Sequence, residues 1–265
     1  MALRLDKYLA ELGVGTRSEV KKLIKAKLIT VNGVTAQKPE MKVDEQTDEV
    51  CLRGEKLRYA AYEYYLFHKP AGCVSATEDN LHRTVMDYLT DTLRGDLFPV
   101  GRLDIDTEGL LLITNDGALA HDLLSPTKHV TKIYYAKVLG KVTKEDVSLF
   151  EKGVDIGEDK LTKPAKLVVI RNDMSSVDVA VEGITERKDV TEASIFSEIE
   201  LTITEGKFHQ VKRMFQAVGK EVVYLKRLSM GSLTLPPDLK PGEYRALTEE
   251  ELIGLRISNK LEIDE

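Results

Sequence analysis

The sequence predicts an α+β protein in which a small α/β unit precedes a larger domain with a mixed, mostly antiparallel sheet. Three observations support this fold class. A length of 265 residues suits one small and one large domain. The first 57 residues combine two helical apolar patterns with a β-hairpin signal. From residue 63 onward, β-prone stretches alternate with short helical ones.

The front unit begins with two helices. The stretch RLDKYLAEL, residues 4–12, spaces its apolar residues along one face of a helix. Thr16 precedes Glu19 by three residues, which is the capping-box spacing and predicts that a second helix begins there. The buried face of this helix comprises Val20, Leu23, Ile24 and Leu28. The following stretch ITVNGVTA places Asn32-Gly33 between two β-prone runs and so predicts a hairpin.

The net charge of −6 conceals two basic segments. Residues 1–38 contain 8 Lys and Arg against 3 Asp and Glu, and residues 206–227 contain 6 against 1. Basic side chains recur along one stripe of the second helix: Arg17, Lys21, Lys22 and Lys25. Such a stripe suits contact with a nucleic-acid backbone, and a solvated helix face is the alternative.

The larger domain follows a boundary near residues 58–62, which divides the chain into residues 1–58, 63–247 and an acidic C-terminal segment, 248–265. Its predicted strands span residues 110–114, 132–140, 167–172, 175–183, 196–204 and 221–235. Its predicted helices span residues 116–124 and 208–219. Thr248 and Glu251 have capping-box spacing and predict a helix in the C-terminal segment.

Four carboxylates near the stretch GRLDIDTEGL, residues 101–110, are candidates for chemistry. Asp116 stands where a helix begins, so capping accounts for it. Glu108 lies in a turn beside a glycine and is expected to be solvated. Asp104 and Asp106 both lie in the loop that leads into an apolar strand. Spacing alone leaves a turn role and a catalytic role open for these two.

Several segments resemble known families. The stretch RLDKYLAELGVGTRSEVKKLIKAKLITVNG resembles the S4 RNA-binding domain. The stretch GRLDIDTEGLLLITNDG resembles the signature of bacterial pseudouridine synthases of the RsuA type. The segments KPAG, KIYYAKV and EGKFHQVKRMFQAVGKEVVYLKRLSMGSL match the same family in the expected order. The resemblance covers nearly the whole chain and implies isomerisation of uridine in ribosomal RNA without a cofactor.

The resemblance assigns the catalytic carboxylate to Asp104, the Asp that follows Arg-Leu. A cation must keep this acid ionised in a pocket that excludes water. By resemblance that cation is Lys212, where many relatives carry Arg, and Arg213 is the second candidate. Lysine supplies a point charge but no bidentate geometry. For both residues the alternative is phosphate contact or a solvated helix face.

The resemblance also implies residues that support the active site. Tyr134 matches the tyrosine that packs on the uracil, and Tyr135 should point to the opposite side of its strand. Arg102 is expected to fill the gap left by the flipped base or to contact phosphate. Leu103 is expected to pack beside the pocket, with a plain core position as the alternative.

The remaining features favour no metal or nucleophile site. The five histidines have no ligand spacing, Ser75 and Ser125 lack a nucleophile context, and Cys51 and Cys73 have no metal-ligand spacing. No apolar run approaches the ~20 residues that a membrane span requires. We therefore expect a cytoplasmic, monomeric protein with free thiols that binds ribosomal RNA.

The overall resemblance, including the stretch SATEDNLHRTVMDYL, implies 16S, small-subunit RNA as the substrate. Three alternatives stay open: a synthase for large-subunit (23S) RNA, a non-catalytic RNA-binding assembly protein, and a glycoside hydrolase. A hydrolase normally needs a second carboxylate, for which Asp106 is the local candidate. Two acids one residue apart on an extended segment should point apart, which argues against the hydrolase.

Overall fold

The computed structural model of the chain describes residues 2–179, 181, 184–191 and 193–261. The chain divides into two compact units, each made of several segments. The first unit comprises residues 1–64, 89–98 and 113–116, and the second comprises residues 65–88, 99–112 and 117–265. The first unit thus contains two segments that lie beyond the boundary expected near residues 58–62. In the described part of the chain, no helix is both long enough and apolar enough to cross a membrane.

The first unit contains two short helices and four antiparallel strand pairings. Its elements are β1 (Ala2–Arg4), α1 (Leu5–Glu11), α2 (Arg17–Lys25), β2 (Ile29–Val31), β3 (Val34–Thr35), β4 (Lys42–Asp44), β5 (Val50–Leu52) and β6 (Glu55–Lys56). Strand β1 pairs with β4, while β3, β2, β5 and β6 form a second sheet in that order. Both predicted helices and the hairpin are confirmed, and Asn32 and Gly33 have the positive φ values of 51° and 78° that the turn requires.

The helices of this unit form because local signals and burial agree. Thr16 and Glu19 form the predicted capping box at the start of α2, each side chain accepting the other residue's backbone N–H. The core includes Leu5, Leu9, Val20 and Ile24, all from the apolar faces that the sequence predicts. The stripe of Arg17, Lys21, Lys22 and Lys25 lies on the exposed side of α2.

The segment 89–98 is attached to the first unit by a buried arginine. The guanidinium of Arg94 contacts a carboxylate oxygen of Glu11 in α1 at 3.2 Å and one of Asp96 at 2.6 Å. Its side chain is almost completely buried, so these contacts supply the counter-charge that a buried cation needs. The ion pairs explain why this segment belongs to the first unit although the sequence places it in the larger domain.

The larger unit is built on a sheet of nine strands in the described residues. The strands are β7 (Tyr64–Lys69), β8 (Phe98–Pro99), β9 (Glu108–Thr114), β10 (Lys132–Leu139), β11 (Lys166–Met174), β12 (Phe196–Ile203), β13 (Glu221–Met230), β14 (Leu233–Thr234) and β15 (Tyr244–Ala246). The order is β11-β12-β10-β13-β9-β7-β15, with β14 on β13 and β8 on β9. The pairings of β10 with β12 and β13 are antiparallel, and β13 pairs in parallel with β9. The predicted mixed, mostly antiparallel sheet is confirmed.

Four helices accompany the sheet in the described residues. They are α3 (Gly117–Leu124), α4 (Lys144–Lys152), α5 (Gln210–Ala217) and α6 (Glu249–Leu261). The helix predicted over 208–219 is shorter because His209, at its N-cap, has a left-handed backbone with φ of 48°. Helix α4 was not expected, although Thr143 and Asp146 form a capping box at its start.

The strand predicted over residues 175–183 is wrong where the structure describes it. Residues 176–179 form a turn, and a short 3₁₀ helix follows at Ile184–Glu186. Residues 180, 182 and 183 lie outside the described residues. Ser175 begins the turn, because its hydroxyl and backbone N–H both donate to the carboxylate of Asp178. A local side-chain hydrogen bond has replaced the strand that the alternating apolar pattern favoured.

The parallel pairing of β9 with β13 depends on a glycine. Gly109 lies opposite Arg227, and a Cβ atom on Gly109 would stand 2.2 Å from the Arg227 carbonyl oxygen. The φ of Gly109, +109°, also lies in the region that favours glycine. Any larger residue at position 109 must therefore separate the two strands or strain the backbone.

We expect Gly109→Ala to lower the free energy of unfolding by on the order of 3 kcal/mol, because steric overlap and backbone strain add. Gly117→Ala is the matched control, since Gly117 begins α3 with open space around its Cα and no positive φ. That change should be neutral or stabilise by less than about 1 kcal/mol. Denaturant unfolding of both variants measures the difference, and equal stabilities would contradict the proposed packing.

Candidate active site

A cavity of about 770 Å³ in the second unit brings the predicted site residues together. Five of them line it: Arg102, Leu103, Asp104, Tyr134 and Lys212. They come from three separate segments, namely the loop before β9, strand β10 and helix α5. Residues that are far apart in the chain therefore meet around one space.

The loop carrying Asp104 is a tight turn rather than an extended segment. The backbone N–H of Thr107 donates to the carbonyl oxygen of Asp104 at 3.1 Å, which closes a β-turn. As a result both nearby carboxylates reach one ammonium: Lys212 Nζ lies 3.1 Å from Asp104 Oδ2 and 2.6 Å from Asp106 Oδ1. The expectation that Asp104 and Asp106 point apart is wrong, because it assumed an extended backbone.

Burial distinguishes the two acids. The side chain of Asp104 is 24% exposed and lines the cavity, whereas that of Asp106 is 66% exposed. Burial lowers the pKa of Lys212, but hydrogen bonds and charge from Asp106 and Asp104 outweigh it and leave that pKa raised. Lys212 therefore stays protonated between the two carboxylates. Its ammonium supplies a counter-charge to the Asp104 carboxylate within the cavity.

A histidine that the sequence did not single out also faces Asp104. His209 Nε2 lies 3.4 Å from Asp104 Oδ1, opposite the oxygen that contacts Lys212. The left-handed backbone of His209 directs its ring here, and the ring stacks on that of Phe208 with centroids 3.8 Å apart. The only signal in the sequence was its position three residues before Lys212, at the start of the same helix.

Two residues outside the loop fix its backbone. Lys69 is completely buried, and its ammonium donates to the carbonyl oxygens of Pro70, Ile105 and Thr107 at 3.0, 3.4 and 2.9 Å. Burial lowers the pKa of Lys69. The KPAG segment thus braces the turn from Asp104 to Thr107.

Ser75 holds the other side of the loop. Its hydroxyl donates to the carbonyl oxygen of Leu103 at 3.0 Å and accepts from the backbone N–H of Leu103 at 3.1 Å. Leu103 is itself buried, so both of its backbone groups depend on this hydroxyl. Ser75 therefore positions the residue next to Asp104 instead of acting as a nucleophile.

Another part of the cavity wall is one face of β10, from which Lys132 and Tyr134 line the cavity. Tyr134 is buried and lines the cavity, while Tyr135 faces the other side of the sheet, as predicted. Burial and a hydrogen bond to Glu198 raise the pKa of Tyr135. Lys132, two residues before Tyr134, lies on the same face with it.

Arg213 and Glu108 have other partners. Arg213 donates to Glu158 and to the carbonyl oxygens of Phe208 and Ile156, and Lys212 alone of the two contacts Asp104 in the described residues. Glu108 is not simply solvated, because its carboxylate accepts from the hydroxyl of Tyr224 at 2.8 Å. In the described part of the chain, no group of three or more His, Cys, Asp or Glu residues is arranged to hold a metal ion.

Comparisons with known proteins find similarity over most of the chain. The pattern of the RNA pseudouridylate synthase family matches residues 63–217, and that of the S4 domain matches residues 3–50. A solved structure described as a pseudouridylate synthase superposes with a TM-score of 0.62 at 34% identity, covering 96% of this chain and 99% of that one.

Curated relatives extend over nearly the whole chain. The uncharacterized RNA pseudouridine synthase YtzG of Bacillus subtilis (strain 168) is 49% identical over 94% of this chain and 97% of its own length. The ribosomal small subunit pseudouridine synthase A of Escherichia coli (strain K12) is 38% identical over 96% of this chain and 100% of its own length. That of Pasteurella multocida (strain Pm70) is 37% identical over 94% of this chain.

We expect Ser75→Ala to lower the free energy of unfolding by about 2–4 kcal/mol, because two buried backbone groups of Leu103 lose their partner. Ser125→Ala, at a partly exposed serine whose hydroxyl contacts that of Thr127, should change the free energy of unfolding by less than about 0.5 kcal/mol. Chemical denaturation of the two variants provides the comparison. A Ser75→Ala protein as stable as wild type would show that the loop does not need this hydroxyl.

Lys132 should titrate near pH 8, because burial first and Arg227 second lower its pKa to about 8. The unfolded chain keeps this proton up to a pH near 10.5, so between these values the unfolded state binds more protons and stability rises with pH. We expect Lys132→Met to be more stable than wild type, by on the order of 3 kcal/mol below pH 8. That difference should shrink as the pH rises to 10.

Unfolding free energies of both proteins at pH 7 and pH 10, with nitrogen-detected NMR titration of the lysine ammonium, measure this effect. A pH-independent difference between the two proteins would rule out the lowered pKa.

Proposed function

The chain belongs to the RNA pseudouridylate synthase family, and we propose that it converts one uridine of 16S ribosomal RNA to pseudouridine with Asp104 as the essential carboxylate. The observation that carries the proposal is the position of Asp104, which contacts Lys212 and lines the same cavity as the buried Tyr134. The small-subunit assignment rests on the names of the relatives from Escherichia coli and Pasteurella multocida.

The reaction requires no change of oxidation state. The N1–C1′ bond of uridine breaks, the uracil turns, and a C5–C1′ bond forms; C5 loses a proton and N1 gains one. Cleavage develops positive charge at the sugar, which a carboxylate stabilises, attacks, or relieves by taking a neighbouring proton. Asp104 supplies this carboxylate and Lys212 forms an ion pair with it, so we propose that no cofactor takes part.

The target base must leave its stack to reach Asp104. Flipped bases are held by stacking and by contacts to their edges. In this chain the ring of Tyr134 provides the stacking surface, and Leu103 packs beside it. Arg102, exposed at the cavity, is placed to contact phosphate or to fill the gap in the RNA.

The first unit is proposed to grip the RNA through the stripe on α2. Its four basic side chains are exposed and lie on a helix whose opposite face is buried. RNA supplies the counter-charges that such a stripe can bind. We further propose that the enzyme acts as a monomer in the cytoplasm, in keeping with its bacterial rRNA-modifying relatives.

We expect Asp104→Asn to reduce pseudouridine formation by a factor of about 10³ or more, because an amide cannot replace the charge at the reacting sugar. Asp106→Asn is the matched control, since it removes the exposed partner of the same lysine and should retain activity within about tenfold. Site-mapped pseudouridine analysis on unmodified 16S and 23S RNA, without added cofactor, reports both the reaction and its location.

A product on 23S RNA would overturn the small-subunit assignment and leave the mechanism intact. Wild-type protein that binds RNA without forming pseudouridine would favour the non-catalytic alternative. Free uracil as the product would indicate a hydrolase.

Neutralising Arg17, Lys21 and Lys25 together should weaken RNA binding and reduce the salt dependence by about one unit of log–log slope per lost phosphate contact. Replacement by Gln keeps the helix, because Gln is a good helix former. The control neutralises Lys144 and Lys152 of α4. RNA affinity measured over a salt series should change for the first variant only, and an unchanged slope would exclude α2 from the interface.

A further inference from the structure

Two buried cations on the cavity wall are not explained by the roles given so far. Lys132 is 7% exposed and Arg227 is 3% exposed, and both line the cavity. Tyr134 pairs directly with Arg227 across β10 and β13, so these two side chains share a face of the sheet. Lys132 lies on that same face, two residues from Tyr134.

The protein supplies these two cations with carbonyl oxygens but with no carboxylate. The ammonium of Lys132 donates to the carbonyl oxygen of Val130 at 3.0 Å, and Arg227 Nε donates to that of Leu110 at 2.7 Å. Arg227 Nη2 is buried without a hydrogen-bond partner. Within the described residues neither side chain forms an ion pair, whereas Lys212 in the same cavity contacts two carboxylates.

Burying two like charges without a counter-charge is unfavourable by several kcal/mol per ion. The lowered pKa of Lys132 reflects this burial and its proximity to Arg227. Because both cations lie at the wall of the cavity without a counter-charge from the described residues, an anionic group of the ligand can supply that charge. This anion must lie next to Tyr134.

The burial of Lys132 and Arg227 indicates which group of the substrate carries this negative charge. Asp104, which is proposed to act at the sugar, is partly exposed, whereas both cations are almost completely buried. A flipped nucleotide enters base first, with its phosphates towards the RNA outside. The group that reaches Tyr134 and the two cations is therefore the uracil ring and not the backbone phosphate.

On the basis of the proposed function, we propose that Lys132 and Arg227 form a cationic subsite that stabilises the uracil anion produced when the N1–C1′ bond breaks. The electron pair of that bond stays on the uracil, where it is delocalised over N1, O2 and O4. Attraction of this charge by the Lys132 ammonium and the Arg227 guanidinium strengthens as the charge develops. Once the C5–C1′ bond has formed, N1 takes up a proton, C5 loses one, and the charge disappears.

Uncharged uridine makes weaker hydrogen bonds to these cations than the anion does, so their effect falls mainly on the chemical step. We expect Lys132→Met to reduce the single-turnover rate at saturating RNA by about 100-fold, with unchanged RNA affinity. Lys132→Arg, which keeps a cation, should restore part of the rate. Removing the buried charge is not expected to unfold the protein, because a hydrophobic side chain is favourable in such a position.

The matched control is Lys137→Met on the same strand. Lys137 faces the other side of β10, where its ammonium donates to the carbonyl oxygen of Val179. This variant should react at the wild-type rate. If the lysines of β10 served only the fold, Lys132→Met and Lys137→Met would have the same effect on the single-turnover rate.

A substrate with a better leaving group separates this subsite from a merely structural role. Fluorine at C5 withdraws electrons, so 5-fluorouracil leaves more readily as an anion and depends less on the cations. The loss of rate caused by Lys132→Met should then be several-fold smaller on RNA with 5-fluorouridine at the target position than on uridine RNA. Chromatography of nuclease digests follows the disappearance of each N-glycoside.

The outcomes distinguish the subsite from the proposed function. An active wild type with an equally fast Lys132→Met variant, or an equal loss on both substrates, overturns the anion subsite alone. Weaker RNA binding with a smaller salt slope and an unchanged single-turnover rate assigns the cations to a phosphate and also overturns it. Wild-type protein that forms no pseudouridine on either ribosomal RNA overturns the proposed function, and the subsite with it.

Discussion

The close approach of two backbones at Gly109 and Arg227 is the constraint on which the site depends. Because position 109 has no side chain, β9 lies directly against β13 in parallel. The turn that precedes β9 carries Asp104, and β13 pairs through Arg227 with Tyr134 on β10. The absence of a Cβ atom at position 109 thus allows the close approach of β9 and β13, and the positions of Asp104 and of Tyr134 on β10 both depend on this approach.

Features governed by neighbours in sequence were predictable. The capping box at Thr16, the Asn32-Gly33 hairpin and the period-two burial of β10 follow from local rules, and the structure contains all three. The turn at 176–179 was missed because its apolar pattern resembles a strand, while a hydrogen bond from Ser175 decides its shape. The family motifs assigned residues that are distant in the chain to one site, which local sequence patterns alone could not do.

The geometry around Asp104 was not accessible from the sequence, because it depends on contacts between distant segments. Whether Asp106 points away or shares Lys212 is decided by the turn closed at Thr107. Lys69, Ser75 and Lys132 belong to residue types that are usually solvated, so nothing in a single sequence marks them as buried. A lysine becomes informative only once its environment is known, as the contrast between paired Lys212 and unpaired Lys132 illustrates.

The division of the chain into interleaved segments has a consequence for its synthesis. The first unit needs residues 89–98 and 113–116 in addition to its first 64 residues. During translation, the two helices and the hairpin emerge before Arg94, so the ion pair between Glu11 and Arg94 forms only after the segment 89–98 has been synthesised. The amino-terminal unit is therefore complete only after the loop bearing Asp104 has itself been synthesised.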